Sequence, residues 1–369
     1  MVLSPVLNIG YNLQYNLNYK PIFRTGGVSA EKQDFNVSGP TYLKSVDWNN
    51  ASHRRCVLAS LIQGVYVHEH DRREKRTKTQ CLALPWWHFF HFHLIETLFD
   101  TSDRSVFGAV LELTSNSVNI NVINSPKYVI AFRGFVNANL ASSIYKDTLL
   151  CLRYYFGTLH NSTRFRHALG RVQHWAGRSP NVWLTGHSLG AAISLLAGKD
   201  MALSGCRLPT YLFNPPFLSA MLDTTITSNS PILYRGIHIA SLVAKAGVSI
   251  YLRGSEKEDR FSALYDWVPC LFLNPGDTIC RGYIGYFEQR LKMKWPCAKA
   301  LEDVATKHTL ESLIMSNVFD INSEPGHLIP SAELIINQAH SPCLKVAHGI
   351  KQWWDPTLLY HPVIYRYRG

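Results

Sequence analysis

The sequence of 369 residues has few charged residues and no long apolar run. Only 17% of the residues are charged and 46% are hydrophobic, and like charges never run together for more than a few positions. This composition excludes a disordered or low-complexity chain. The longest nearly charge-free stretches, such as residues 237–252, contain Lys245 and fall short of the roughly 20 apolar residues that a membrane span needs. We therefore expect a soluble globular protein.

The eight cysteines form no C-x-x-C pair and no regular framework. The first residues also lack the basic segment and the following apolar segment that mark a secretory signal. Both observations predict reduced thiols and a cytoplasmic location.

The formal net charge of +11 would suit a protein that binds nucleic acid, but Lys and Arg are scattered over the whole length. The densest basic cluster, residues 71–78, is interrupted by Asp71 and Glu74 and is typical of a solvated loop. We expect no nucleic-acid partner and at most weak adsorption to anionic lipid headgroups.

Five short apolar runs have the pattern of strands that are buried on both faces. Helical patterns lie between them, and this alternation predicts an α/β protein with a mostly parallel sheet. In such sheets the functional groups follow the carboxyl ends of the strands. The five runs are residues 128–132, 181–185, 210–213, 270–273 and 333–337.

The domain organisation follows from the periodicity of the rest of the chain. Residues 1–38 have none and are expected to be a poorly ordered leader, whereas residues 39–369 are expected to form a single domain. Within this domain we expect insertions near residues 245–265 and 292–326. We also expect a helix over 42–66 and two further strands over 106–113 and 117–123.

The aromatic segment 86–98 is a candidate helix, and its two tryptophans could form a lipid-facing surface or the wall of an acyl pocket. His88, His91 and His93 in this segment lack the i,i+4 spacing and the carboxylate of a metal-binding helix. We therefore expect no metal site there.

Residues 186–190 read G-H-S-L-G and match the G-x-S-x-G pattern of a nucleophilic serine. A strand pattern precedes the motif and a helix of small residues follows it, as a nucleophile elbow requires. The glycines make room for a serine in a strained backbone conformation. In such an elbow the Ser188 hydroxyl stands above the sheet, and the Leu189 amide faces a developing oxyanion.

The residues around this motif resemble the class 3 (fungal-type) lipases, which are α/β-hydrolases. Residues 185–192 read T-G-H-S-L-G-A-A, and residues 129–134 are similar to the strand and F-R-G that precede the oxyanion loop of that family. Further stretches resemble a plant subgroup, some members of which carry a GDSL esterase/lipase name, although this chain contains no G-D-S-L. These stretches are residues 39–48, 59–64 and 349–354.

The resemblance extends over about residues 39–356 and implies an α/β-hydrolase that cleaves carboxylic esters, above all lipid acyl esters, through an acyl-enzyme on Ser188. It implies no metal or organic cofactor, and it admits contact with a membrane or lipid-droplet surface. The oxyanion hole would consist of the Phe135 and Leu189 backbone amides. The family usually has a small hydroxyl residue where this chain has Phe135. Two alternatives stay open, a lipase-fold protein that binds a lipid or a partner, and an acyltransferase.

A nucleophilic serine needs a base that takes its proton and an acid that holds the base. In this fold the acid follows the serine in the chain and precedes the histidine. Asp277 comes after the apolar run 270–273 and a tight turn, and it is the expected acid. Asp266 is the alternative, but it precedes the run and would lie at the wrong end of the sheet.

The expected base is His348, which comes after the last apolar run and is followed by a glycine. His340 is the second candidate and His327, which precedes that run, is the third. A purely structural role for His348, packed against Trp353 and Trp354, is the alternative to a role as base.

Overall fold

The computed structural model describes residues 33–114, 124–136, 150, 153–154, 159–217, 262–292 and 328–367. Eight strands form one sheet, and each strand lies beside its neighbours in the sequence. The strands are β1 (Phe92–Phe99), β2 (Val106–Leu113), β3 (Tyr128–Phe132), β4 (Val182–His187), β5 (Thr210–Phe213), β6 (Cys270–Leu273), β7 (Ala332–Asn337) and β8 (Tyr360–Tyr365).

The five strands β3 to β7 run parallel to one another. The outer strands β1, β2 and β8 each pair in the antiparallel sense. The five predicted apolar runs are therefore the five parallel strands, which confirms the predicted α/β fold with a mostly parallel sheet. Every residue of β4 and of β6 is buried, which is why these strands read as continuous apolar runs.

Helices lie on both faces of the sheet. Alternate residues of β4 therefore pack into different cores. Trp183 belongs to the core that α2 forms with the sheet, whereas Leu184 belongs to the core beneath α4 and α5. None of the helices in the described segments has the length and hydropathy needed to cross a membrane. The helices are α1 (Phe35–Ser38), α2 (Ala51–Arg73), α3 (Pro85–His88), α4 (Thr163–Ala176), α5 (Leu189–Leu203), α6 (Gly282–Lys292) and α7 (Leu344–His348), with 3-10 turns at Lys78–Gln80, Leu159–Asn161 and Ile350–Trp354.

The helix that was expected over 42–66 begins later and ends later, as α2. It begins at Ala51 because the side chain of Asn50 accepts hydrogen bonds from the first free backbone amides of the helix. Residues 33–38, which were expected to be part of a poorly ordered leader, include α1. Phe35 in α1 is buried and packs edge-on against Trp86. Residues 1–32 lie outside the described residues.

The prediction of an aromatic helix over 86–98 is wrong. The helical turn α3 ends at His88, and β1 begins at Phe92. The intervening His91 has a positive φ of 61°, which breaks the helical backbone. Trp86 and Trp87 are buried and therefore face protein, not lipid.

Other expectations fall partly or wholly outside the described residues. The strand over 106–113 is confirmed as β2. The strand over 117–123 lies outside the described residues, and so do the insertions, apart from residues 262–265 and residue 292. The division into a leader and a single domain stays a prediction.

The basic cluster near the end of α2 is an ion-paired structure, and its centre is a buried carboxylate. Glu69 is fully buried and accepts hydrogen bonds from Arg72 (2.7 and 2.8 Å), from Arg73 (2.6 Å) and from the Val106 amide (2.8 Å). Burial alone would raise the pKa of Glu69, but the bonds to Arg72, Val106 and Arg73 and the charge of Arg133 lower it to about 2. Glu69 therefore joins the end of α2 to the start of β2.

We expect Glu69→Gln to destabilise the protein in a manner that depends on pH. A depressed carboxyl pKa contributes stability above the pKa of the unfolded chain, near 4.3, and this contribution is lost as pH falls towards 2. The contribution at pH 7 is about 3 kcal/mol. Urea unfolding between pH 7 and pH 2 measures it. The exposed Glu74 on the same cluster provides the control, and an equal effect of Glu74→Gln at all pH values would contradict the assignment.

Candidate active site

The serine of the G-H-S-L-G motif lies in a strained turn between β4 and α5. Ser188 has φ 56° and ψ −123°, a conformation that few residues other than glycine adopt. The two flanking glycines are required by close packing. A Cβ atom at Gly190 would meet the carbonyl oxygens of Phe132 and Arg133, and one at Gly186 would meet the backbone of Gly190. The local geometry is that of the predicted nucleophile elbow.

Ser188, His348 and Asp277 lie in hydrogen-bonding contact. His348 Nε2 is 3.0 Å from Ser188 Oγ, and His348 Nδ1 is 2.8 Å from Asp277 Oδ2. The three residues follow β4, β6 and β7, so the carboxyl edge of the sheet brings them together. The first distance suits proton transfer between a hydroxyl and the ring, and the second suits a hydrogen bond that orients the ring.

The Asp277 carboxylate is buried and held by several donors. Besides His348, it accepts hydrogen bonds from Asn214 Nδ2 at 2.7 Å and from the Ile279 amide at 3.0 Å. Burial would raise the pKa of Asp277, but the interactions with His348, Asn214 and Ile279 keep it below its ordinary value. Asp277 is therefore an ionised hydrogen-bond acceptor at neutral pH.

The other candidates for the acid and the base lie elsewhere. Asp266 precedes β6 and pairs with Arg207 at 2.7 Å. His340 is exposed in the segment after β7, and His327 lies outside the described residues.

The segment after β3 is fastened to the sheet by a buried arginine. Arg133 Nε donates to the Val106 carbonyl at 2.5 Å, and Arg133 Nη1 donates to the Gly134 carbonyl at 2.7 Å. Phe135 follows in this segment, and its side chain is half-buried. Leu189 is the first residue of α5, where the backbone amides have no partner within the helix. A role of these two amides in an oxyanion hole stays a prediction at this point.

Tyr66 and His187 form a connection that the sequence did not indicate. The Gly134 amide donates to Tyr66 Oη at 2.7 Å, and Tyr66 Oη lies 2.8 Å from His187 Nδ1. His187 Nε2 lies 2.7 Å from the carbonyl oxygen of His348. Since a carbonyl only accepts, His187 carries its proton on Nε2 and accepts at Nδ1 from the tyrosine hydroxyl. Burial, and then the nearby His348, lower the pKa of His187 to about 3, so its ring is neutral.

We expect Tyr66→Phe to lower the free energy of unfolding by about 1–3 kcal/mol, because it leaves the Gly134 amide and His187 Nδ1 without this partner. Tyr265→Phe is the matched control, since Tyr265 is largely exposed. Urea unfolding of both variants measures the difference. Equal stability of the two variants would mean that the Tyr66 hydroxyl does not join these segments.

The part of the chain that the structure describes holds no cluster of metal-ligating side chains. Among those residues, no three or more His, Cys, Asp and Glu side chains gather where they could hold a metal ion. A cavity lined by Arg54, Tyr211, Cys270 and Glu333, among others, lies between the start of α2 and strands β5 to β7. Ser188, Asp277 and His348 are not among its lining residues.

Comparison with known proteins agrees with the geometry. The family model described as Lipase (class 3) matches residues 130–235, a span that contains both the F-R-G and the G-H-S-L-G motifs. A protein of Arabidopsis thaliana named GDSL esterase/lipase is 38% identical over an alignment 357 residues long, which covers 92% of this chain and 99% of that protein. No solved structure matches the chain. With this identity over nearly the full length of both proteins, the chain belongs to the class 3 lipase family of α/β-hydrolases.

Proposed function

We propose that this protein is a serine hydrolase that cleaves carboxylic esters, with lipid acyl esters as its substrate class. The observation that carries the proposal is the unbroken chain of hydrogen bonds from Ser188 through His348 to the buried Asp277. The family and the name of the Arabidopsis relative support esters as the substrates.

In the proposed first step, Ser188 Oγ attacks the ester carbonyl while His348 Nε2 takes its proton. Asp277 accepts the hydrogen bond from Nδ1–H, so the lone pair of the imidazole faces the serine. The same carboxylate stabilises the imidazolium that forms. Ester cleavage then follows when His348 gives the proton to the leaving alcohol, which leaves the acyl group on Ser188.

In the proposed second step, His348 takes a proton from water, and the resulting nucleophile attacks the acyl carbonyl. The tetrahedral species collapses to the free acid, and the proton returns to Ser188 Oγ. Both tetrahedral species carry a negative oxygen, which we assign to the backbone amides of Leu189 and Phe135. An amide in such a position contributes about 2.7–4 kcal/mol to the stability of the transition state.

In this proposal Phe135 lowers the rate of acylation but does not change the reaction mechanism. Its amide donates as that of any residue would, whereas its side chain lacks the hydroxyl that the family usually has at this position. The oxyanion hole therefore has one donor fewer, and we assign to this protein a slower acylation than a relative with serine or threonine there would have.

We expect Ser188→Ala to remove ester hydrolysis and labelling by a fluorophosphonate. Loss of a triad nucleophile typically lowers kcat by a factor on the order of 10⁶. The buried Ser194 on α5 is the matched control, and Ser194→Ala should keep both activities. Hydrolysis of p-nitrophenyl butyrate and gel detection of the labelled protein are the measurements.

Three results would count against the proposal in different ways. Parent-like hydrolysis by Ser188→Ala would remove Ser188 as the nucleophile. A folded parent that neither hydrolyses esters nor takes up the probe would favour a lipid- or partner-binding protein. Transfer of the acyl group to added glycerol or sterol in place of water would favour an acyltransferase.

The choice of acid gives a separate prediction. Asp277→Asn should lower kcat by about 10⁴-fold, because an amide holds the imidazole in the wrong tautomer. Asp266→Asn removes only the exposed pair with Arg207 and should leave kcat unchanged. Steady-state kinetics of both variants measure the difference, and the reverse ranking would identify Asp266 as the acid.

A further inference from the structure

We propose that Asn214 and Trp353 are positioning residues that hold the Asp277 carboxylate in register with His348. This inference rests on the proposed function and assigns a role to the Q-W-W segment that follows the expected base. Neither side chain contacts Ser188 in the hydrogen-bond network of the described residues, so both act through the acid.

Trp353 and two acceptors together fix the direction of the Asn214 amide. Trp353 Nε1 lies 2.7 Å from Asn214 Oδ1, and an indole N–H can only donate. Asn214 Oδ1 is therefore the acceptor of this bond, and Nδ2 must point the other way. There it donates to Asp277 Oδ2 at 2.7 Å and to the Ala347 carbonyl at 3.1 Å.

Asn214 reaches these partners because of its backbone conformation. It follows β5, is fully buried, and has a positive φ of 47°, a region that asparagine tolerates better than most residues. Its backbone amide donates to the Phe272 carbonyl at 2.9 Å, which fixes it to the neighbouring strand β6. A buried residue in this conformation is expected to have a specific task.

Trp353 is equally well fixed. It is fully buried, and its ring lies against Phe272 and Phe213, with centroids 5.5 and 6.1 Å away. The neighbouring Gln352 donates to the carbonyls of Ala347 at 2.6 Å and Gly349 at 2.9 Å. One short segment thus holds the backbone on both sides of His348 and, through Asn214, the acid.

Loss of the indole donor would leave the buried Asn214 Oδ1 without this partner, so the amide would be held less firmly. Nδ2 would still face the Asp277 carboxylate and the Ala347 carbonyl, because both are acceptors, but its hydrogen bond to Asp277 would be weaker. The hydrogen bond from Asn214 is one of the interactions that keep the pKa of Asp277 low. The other titratable groups near Asp277 in the described residues are His348, His187 and Cys280.

The test compares Trp353→Phe with Trp354→Phe. Trp354 is the matched control because it is also buried, but its indole N–H donates to the Ser38 carbonyl at 3.0 Å, away from the acid. We expect Trp353→Phe to lower kcat by up to about 10-fold at constant KM, as loss of one hydrogen bond between neutral groups does. A less stabilised carboxylate favours protonation of the acid–base pair, so the acidic limb of the kcat/KM profile should move to higher pH. Trp354→Phe should leave kcat and the pH of the acidic limb unchanged.

A second variant covers a failure of Trp353→Phe to fold. Asn214→Ala removes the donor to Asp277 without adding a charge, and it should lower kcat further and move the acidic limb in the same direction. Equal kinetics of the Trp353 and Trp354 variants, with an active parent, would overturn the inference and leave the proposed function intact. A folded parent that is neither active nor labelled by a fluorophosphonate would overturn the proposed function, and the inference with it.

Discussion

The close approach of α5 to the end of β3 is the constraint on which the site depends. It is possible only because Gly190 has no side chain, since a Cβ atom there would meet the carbonyl oxygens of Phe132 and Arg133. This approach forces Ser188 into its strained conformation and directs the start of α5 towards the segment after β3. The proposed nucleophile and the proposed oxyanion donors thus share one structural cause.

Hydrogen bonds between distant segments hold the remaining parts of the site around the elbow. Tyr66 links α2 to Gly134 and to His187, and Asn214 links the end of β5 to Asp277 and to the loop of His348. Each link ends on a buried group that would be costly to leave without a partner. A change of any one link should therefore disturb the geometry of the others.

The sequence predicted those features that depend on neighbours in the chain. The parallel strands are buried on both faces and read as apolar runs, so Ser188, Asp277 and His348 could be placed after β4, β6 and β7. The partners of Tyr66 and Asn214 are separated from them by 121, 63 and 139 positions, and no local pattern marks such pairs. The helix predicted for the aromatic segment before β1 was wrong for a related reason. The positive φ of His91 ends the helix, and the composition of the segment does not indicate it.

Two histidines lie side by side in the site, and their surroundings differ in a way that favours His348 as the proposed base. The rings of His187 and His348 have their centroids 5.0 Å apart, yet only His348 contacts the Asp277 carboxylate. His187 is buried between a tyrosine hydroxyl and a backbone carbonyl, and its pKa of about 3 keeps it neutral. A charge on His187 would oppose formation of the imidazolium on His348 during the proposed attack. Burial thus makes His187 a weak base, and its Nδ1 is already bound by the Tyr66 hydroxyl, which supports His348 as the proton acceptor in the proposed attack.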